Sequence, residues 1–129
     1  MHSKSVALTE AEWIVMECLW EASPRTGREI VEWLQERNDW SRSTCLTLLR
    51  RLEAKDAVYG DEDSSVKRFR PLVCRDEVAV SQAKSLLDRA YHGSLSLLVN
   101  AFTKEQTLSQ NEIEELYSIL KEMEEKQND

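Results

Sequence analysis

Hydrophobic residues recur along this 129-residue chain at the three-to-four-residue spacing of amphipathic helices. The clearest repeat follows Ser41, where Cys45, Leu48, Leu49 and Leu52 lie on one side of a helical wheel. Ser41 suits the N-cap position, because its hydroxyl can accept a hydrogen bond from an unpaired N–H of the first turn. The pattern predicts a helix that buries this face and exposes the other.

Further helix starts are indicated by S/T-x-x-E capping boxes, in which side chains and backbone N–H groups bond reciprocally. The boxes pair Thr9 with Glu12, Thr26 with Glu29 and Ser109 with Glu112. The first two boxes begin helices that precede the one after Ser41, and Asn38-Asp39 breaks the second of these helices. Residues 9–55 therefore form three helices, of which the second and third give a helix-turn-helix pair.

A β-hairpin is predicted directly after the third helix. Residues 57–59 favour a strand, residues 60–65 a tight polar turn and residues 66–70 a return strand. Pro71 ends the hairpin, because proline has no N–H to donate to a strand ladder. A helix rich in hydrogen-bond donors, followed by a cationic hairpin, is typical of a winged helix-turn-helix that reads duplex DNA.

The chain changes character near Asp76, where a long helical pattern begins that runs to His92, with Gly93 as its breaker. Two amphipathic segments follow, and both are too short to form a core alone. They must pack on the N-terminal domain or on a second subunit, and we favour a dimerisation arm. The predicted architecture is mostly α, with a winged-helix domain at 1–75 and a helical dimerisation domain at 76–129.

The predicted dimer interface consists of the apolar side chains on one side of these two segments. They are Leu95, Leu98, Val99, Phe102, Ile113, Leu116, Tyr117 and Leu120.

Charge is distributed unevenly along the chain, whose net charge is −7. Residues 41–75 hold eight basic and five acidic side chains, a net charge of +3, whereas residues 76–129 hold five basic and eleven acidic ones, a net charge of −6. The acidity therefore lies mainly outside the proposed DNA-binding part, and it discourages indiscriminate adsorption to nucleic acid.

Several classes of protein are disfavoured by what the sequence lacks. No apolar run approaches the ~20 residues that span a bilayer, and the N-terminus lacks the apolar core of a signal peptide. Three cysteines without paired spacing are typical of reduced thiols, so we expect a cytoplasmic protein without membrane insertion. No phosphate-binding loop, nucleophile elbow or His–carboxylate constellation is present. We therefore expect no enzyme, no cofactor and no metal site.

Six stretches, in order along nearly the whole chain, carry a family resemblance. They are LTEAEWIVMECLW at 8–20, DWSRST at 39–44, LLRRLEAK at 48–55, FRPLV at 69–73, GSL at 93–95 and LSQNEIEEL at 108–116. Through this ordered set the chain resembles the penicillinase-repressor (BlaI/MecI) family of dimeric winged-helix transcriptional repressors. The resemblance implies a homodimer that binds a palindromic operator in double-stranded DNA.

The resemblance and the exposed positions together predict two sets of DNA-binding residues. The phosphate-neutralising candidates are Arg42, Arg50, Lys67, Arg68 and Arg70. The base-facing candidates are Ser43, Thr44, Leu46, Thr47 and Arg51. Better-known family members tend to carry basic residues at positions 43 and 46, so the operator of this chain is expected to differ. Leu46 cannot donate a hydrogen bond, although it could pack against a thymine methyl group.

In this family, repression is released by proteolysis in the dimerisation arm, triggered by a membrane-bound β-lactam sensor. The family's scissile Asn–Phe step aligns with Ala101–Phe102, and Asn100 lies one residue earlier. The resemblance therefore implies a sensor protease as a partner and β-lactam-response genes as targets. The copper-responsive branch uses C-terminal Cys-x-Cys pairs, which Cys18, Cys45 and Cys74 do not form.

One alternative of a different class remains open. The chain could be a winged-helix module that does not bind DNA and joins a protein complex through its C-terminal arm. The overall acidity and the non-basic residues Ser43 and Leu46 support this alternative.

Overall fold

The computed structural model describes residues 6–62, 65–105 and 108–128. The helices in these ranges are α1 (Glu10–Glu21), α2 (Gly27–Arg37), α3 (Arg42–Ala54), α4 (Arg75–Tyr91), α5 (Leu95–Lys104) and α6 (Gln110–Gln127). The strands are β1 (Arg25–Thr26), β2 (Val58–Asp61) and β3 (Arg68–Pro71). This order of elements confirms the predicted mostly α chain with an N-terminal winged helix.

The predicted helix starts are confirmed. Reciprocal capping boxes begin α1 at Thr9 and α2 at Thr26, with hydrogen bonds of 2.8 and 3.1 Å in each box. Ser41 caps α3 by accepting a hydrogen bond from the Thr44 N–H at 3.1 Å. Ser109 accepts the corresponding bond for α6, while its hydroxyl rather than its backbone N–H faces the Glu112 carboxylate, at 3.4 Å.

The core of the winged helix is built where α1, α2 and α3 meet. Buried side chains from each helix fill it, including Met16, Leu19, Ile30 and Leu34. All four tryptophans lie at its margin, partly buried against the core. Trp20 donates an indole hydrogen bond of 2.9 Å to the Val73 carbonyl, which ties the end of the hairpin segment to α1.

The sheet has three antiparallel strands in the order β1-β3-β2. The sequence predicted two of them, and it placed Gly60 in the turn. Instead, Gly60 and Asp61 belong to β2 and pair with Phe69 and Arg68, while Ala57 precedes β2 and residues 66 and 67 precede β3. Pro71 is the last residue of β3, as predicted. Residues 63–64 of the predicted turn lie outside the described residues.

The chain divides into two compact units between Ala83 and Lys84, within helix α4. This division lies further along the chain than the predicted boundary at residues 75 and 76. The first part of α4 belongs to the N-terminal unit, because Val78 is buried in its core and Gln82 donates a 3.0 Å hydrogen bond to the Leu8 carbonyl. The assignment of separate DNA-binding and dimerisation roles stays a prediction.

The second unit contains the end of α4 together with α5 and α6. Helix α4 ends in a left-handed turn, with φ of +51° at His92 and +77° at Gly93, and the Gly93 N–H bonds to the Leu87 carbonyl at 3.0 Å. Gly93 is therefore a helix breaker, as predicted. Neither α5 nor α6 contains a buried residue. No helix in the described part of the chain is long and apolar enough to cross a membrane.

Candidate nucleic-acid interface

Helix α3 has one buried face and one exposed face. Cys45, Leu48, Leu49 and Leu52 are at most 5% exposed, so the helix is fixed against α1 and α2 by its apolar side. The predicted residues of the opposite side are exposed. They are Arg42, Ser43, Thr44, Thr47, Arg50 and Arg51. We call this set the α3 surface.

Leu46 differs from the other residues predicted to face the bases. Its side chain is half-buried and packs against the hydrophobic core. Part of the apolar surface of Leu46 is therefore already engaged inside the protein. Its contact with a thymine methyl group stays a prediction.

The arginines of the α3 surface differ from most other cations of the N-terminal unit. Arg42, Arg50 and Arg51 form no ion pair or hydrogen bond through their side chains with the residues that the structure describes. Most other cations of the N-terminal unit are engaged with a neighbouring carboxylate. These pairs are Arg25–Glu21, Arg28–Glu32, Arg37–Glu36, Lys55–Glu12, Lys67–Glu53 and Arg75–Glu17.

The difference between these three arginines and the paired cations bears on ligand binding. A guanidinium group carries five N–H donors in a fixed planar arrangement. Such a group can bond two acceptors at once, on a phosphate or on the O6 and N7 atoms of guanine. The α3 surface therefore presents three positive charges and three exposed hydroxyl groups, of which that of Thr44 also accepts a hydrogen bond from the Ser41 hydroxyl at 3.1 Å.

The three predicted cations of the wing, which we define as β2, β3 and residues 62 and 65–67, differ in their surroundings. Arg68 is exposed and forms no ion pair within the described residues. Arg70 lies 3.9 Å from the Asp61 carboxylate. Lys67 is bonded to Glu53 on α3 at 3.1 Å and lies 3.6 Å from Glu62. The hydrogen bond to Glu53 raises the pKa of Lys67, so its amine stays charged but is already neutralised by the protein.

The end of α3 is fixed by an ion pair that the sequence did not predict. Lys55, the C-cap of α3, donates a 2.6 Å hydrogen bond to the buried carboxylate of Glu12 and a 2.9 Å bond to the Ala7 carbonyl. Burial alone would raise the pKa of Glu12, but the hydrogen bonds from Lys55 and Thr9 outweigh it and lower this pKa. The Thr9–Glu12 capping box was visible in the sequence, whereas the distant lysine was not.

The three cysteines differ in their exposure to solvent. Cys18 and Cys45 are buried core residues, and burial raises the pKa of Cys18 to about 11 and also raises that of Cys45. Cys74 is exposed. Across the described ranges there is no group of three His, Cys, Asp or Glu side chains that could hold a metal ion.

The predicted dimerisation residues lie in the second unit and remain accessible. Leu98, Val99 and Ile113 are half-buried. The more exposed side chains are Leu95, Phe102, Leu116, Tyr117 and Leu120, with exposed fractions between 38% and 72%. The sequence did not single out Leu97 and Ile119, which are also exposed. Residues of α5 and α6 line an open apolar groove that includes Leu98, Phe102, Leu116 and Ile119.

The fold and the exposed donor-rich face of α3 define a winged helix-turn-helix of the DNA-binding class. The model of the penicillinase repressor family matches residues 8–122. The chain belongs to the penicillinase repressor family, and the matches to it support a DNA-binding repressor.

Two relatives and one solved structure illustrate this membership. The methicillin resistance regulatory protein MecI of Staphylococcus aureus (strain N315) is 32% identical over 120 residues, which cover 93% of this chain and 98% of MecI. The penicillinase repressor of Staphylococcus aureus is 31% identical over 126 residues, covering 98% and 100% of the two chains. The monomeric form of Bacillus licheniformis BlaI, in complex with the blaP half-operator, is similar with a TM-score of 0.52 and 27% identity. That similarity covers 57% of this chain and 90% of the BlaI chain in that structure.

Proposed function

We propose that this chain is a homodimeric transcriptional repressor in the cytoplasm that binds a palindromic operator through its winged helix-turn-helix. The observation that carries the proposal is that Arg42, Arg50 and Arg51, beside exposed hydroxyl groups on one face of α3, form no ion pair with any residue that the structure describes. In a DNA complex, the guanidinium groups of these three arginines would donate hydrogen bonds to phosphate oxygens or to guanine. The half-operator complex of its relative BlaI supports the same use of this domain.

In the proposed complex, α3 lies in the major groove. Ser43, Thr44, Thr47 and Arg51 face base edges, with Leu46 beside them. The phosphates are contacted by Arg42, Arg50, Arg68 and Arg70, and each neutralised phosphate contributes about −0.9 to the slope of log affinity against log salt concentration. A two-fold dimer places its half-sites about one helical turn, ~10 bp, or a multiple of it apart.

The proposed dimer interface is formed by the apolar residues of α5 and α6. Large aliphatic and aromatic side chains such as Leu95, Tyr117 and Leu120 are more than half exposed in the single chain. A contiguous apolar surface of this kind is uncommon on a soluble monomer and is typical of a protein interface. Association of two copies would remove it from water and would link two DNA-binding domains.

We further propose that proteolysis between Ala101 and Phe102 releases repression, with a membrane sensor protease as the partner and β-lactam-response genes as the targets. Both residues lie in helix α5, and the Thr103 hydroxyl bonds to the Asn100 carbonyl at 2.7 Å beside the bond. Cleavage there would separate Phe102 and α6 from Leu95, Leu98 and Val99. If repression lifts in induced cells while the chain stays intact on an immunoblot, this part of the proposal is wrong.

DNA binding is tested by fluorescence anisotropy with labelled intergenic DNA from upstream of the chain's own gene and with a scrambled duplex of equal length. Arg51→Met removes one guanidinium group from the α3 surface and keeps the aliphatic stem. We expect it to weaken binding to the intergenic DNA by about 1–3 kcal/mol, or roughly 5- to 150-fold.

Arg89→Met is the matched control, because it removes the same charge from an exposed position in α4, outside the α3 surface. It should leave the affinity unchanged. If the unmodified chain raises the anisotropy of neither duplex at low salt, the repressor proposal fails and the interaction module becomes the better hypothesis.

A further inference from the structure

Lys67 connects the wing to helix α3. Its ammonium nitrogen lies 3.1 Å from Oε2 of Glu53 on α3 and 3.6 Å from Oε1 of Glu62, which follows β2. The same nitrogen lies 5.2 Å from the centre of the Phe69 ring, within the range of a cation–π interaction. Two carboxylates and an aromatic ring thus surround the amine on the protein side.

The path of this side chain depends on the residue at position 60. Gly60 pairs with Phe69 across the sheet, and the stem of Lys67 passes over the space that a Cβ atom at position 60 would occupy. Such an atom would overlap Lys67 and would lie 3.0 Å from the Glu53 carboxylate and 3.1 Å from the Phe69 ring. Glycine at this position therefore allows the lysine to cross the wing and reach α3.

The neighbouring wing cations are not held in this way. Arg68 forms no ion pair among the described residues, and Arg70 is only loosely associated with Asp61 at 3.9 Å. To bind a phosphate, the Lys67 amine would have to give up the Glu53 and Glu62 carboxylates that it already contacts. Arg68 has no such carboxylate to give up among the described residues.

We propose that Lys67 is a positioning residue, which holds the wing against α3 so that Arg68 and Arg70 meet the DNA backbone, and which does not itself neutralise a phosphate. The inference rests on the proposed DNA binding and assigns to Lys67 a role different from the phosphate contact expected from its charge. It predicts that the amine acts through the two arginines.

The salt dependence of binding separates the two roles. Affinity of the full chain for the upstream intergenic duplex is measured between 50 and 300 mM salt for Lys67→Met and for Arg68→Met, in which only the charged group is lost. Arg68→Met should make the slope of log affinity against log salt shallower by about 0.9. Lys67→Met leaves both arginines able to reach phosphate and adds only the cost of ordering the wing on binding, so it should weaken binding about 3- to 10-fold at every salt concentration and leave the slope unchanged. A shallower slope for Lys67→Met would overturn the proposal.

A second test asks whether the effect of Lys67→Met on DNA affinity requires Arg68 and Arg70. A residue that only stabilised the fold would not show this requirement. In a chain that already carries Arg68→Met and Arg70→Met, adding Lys67→Met should have no further effect on affinity. An additive loss would show that Lys67 contributes to binding on its own. Circular dichroism and thermal unfolding of each variant establish that folded proteins are compared.

The positioning itself can be measured without DNA, so failure of this inference is distinguishable from failure of the proposed function. Lys67→Met and Glu53→Gln should each accelerate hydrogen exchange of the β2 and β3 backbone amides at least fivefold, while amides in α1 keep their rates. Arg68→Met should leave the wing amides unchanged. Unchanged exchange in both Lys67→Met and Glu53→Gln would overturn the proposal even if the chain binds DNA.

Discussion

The ammonium group of Lys55 donates a 2.6 Å hydrogen bond to the carboxylate of Glu12, whose side chain is 1% exposed. The same amine donates to the Ala7 carbonyl at 2.9 Å. Because Lys55 caps the end of α3 and Glu12 lies in the first turn of α1, this pair fixes the end of α3 to the beginning of α1.

Lys55→Met should therefore destabilise the protein. The variant keeps the aliphatic stem but leaves the buried Glu12 carboxylate without its charged partner, and an unsatisfied buried polar group costs about 1–3 kcal/mol. We expect a loss of this size in the free energy of unfolding, measured with urea at pH 7. The lysine is about one-third exposed, which keeps the loss below that of a fully buried pair. Arg28→Met, which breaks the exposed pair with Glu32, should cost less than about 0.5 kcal/mol. If both variants lose the same free energy of unfolding, the Lys55–Glu12 pair does not stabilise the fold more than an exposed ion pair does.

The same pair predicts how stability depends on pH. The pKa of Glu12 in the folded protein lies below its ordinary value of 4.5, because the bonds from Lys55 and Thr9 outweigh the effect of burial. A lowered folded pKa means that the unfolded chain binds the proton more readily, so this stabilisation is complete above pH 4.5 and is lost as the pH falls through the folded pKa.

Glu12→Gln should accordingly be less stable than the unmodified chain at pH 7 and should lose less stability between pH 5 and pH 3. Thermal unfolding across this range measures both effects. Glu114→Gln, on the exposed surface of α6, is the control for removing one carboxylate. If Glu12→Gln and the unmodified chain lose the same stability between pH 5 and pH 3, Glu12 is not responsible for the pH dependence.

The helices could be predicted from the sequence because their signals are local. The boxes at Thr9 and Thr26 and the cap at Ser41 each involve residues three apart, and the apolar face of α3 repeats within one helix. Strand β1 could not be predicted in this way, because Arg25–Thr26 is two residues long and is defined by pairing with β3 more than forty residues later. The end of the N-terminal unit depends likewise on the burial of Val78 against distant helices.

The candidate site shows the same division between local and distant effects. Exposure of Arg42, Arg50 and Arg51 follows from the helical period of α3, so these residues were found from the sequence. The pairing of Lys67 with Glu53 joins two elements whose relative placement the sequence does not display, so Lys67 looked like any other wing cation. Half-burial of Leu46 has a similar origin, since it depends on the neighbouring core rather than on α3 alone.

Leu46→Ala should test whether this side chain serves mainly the core. Because Leu46 is half-buried, we expect the free energy of unfolding to fall by about 1–2 kcal/mol, less than the 2–5 kcal/mol of a fully buried leucine. Thr47→Ala, at the adjacent exposed position, should stay within about 0.5 kcal/mol of the unmodified chain.

The corresponding DNA measurement replaces each thymine of the bound duplex by uracil, which lacks the methyl group. If Leu46 serves mainly the core, this replacement should change the affinities of the unmodified chain and of Leu46→Ala by the same factor. A loss seen with the unmodified chain and absent in Leu46→Ala would instead assign Leu46 to a thymine methyl contact.

Leu120→Asp should prevent association of two chains. Leu120 is 55% exposed in the single chain and lies on the same side of α6 as Leu116. A carboxylate placed there would be desolvated in a dimer, so we expect the dimer dissociation constant to rise about 10²-fold, equivalent to about 3 kcal/mol. Sedimentation equilibrium at micromolar concentration measures this change.

Ser118→Asp is the control for the Leu120 variant, because it introduces the same charge on α6 at a position away from the predicted apolar interface. It should remain a dimer. Loss of the dimer also removes the effective concentration that links two half-sites, which is worth about 10²- to 10⁴-fold in apparent affinity. Leu120→Asp should therefore bind an isolated half-site as well as the unmodified chain does, yet bind the full operator far more weakly. If the unmodified chain is itself a monomer, or if Leu120→Asp retains full affinity for the operator, α6 is not the dimer interface.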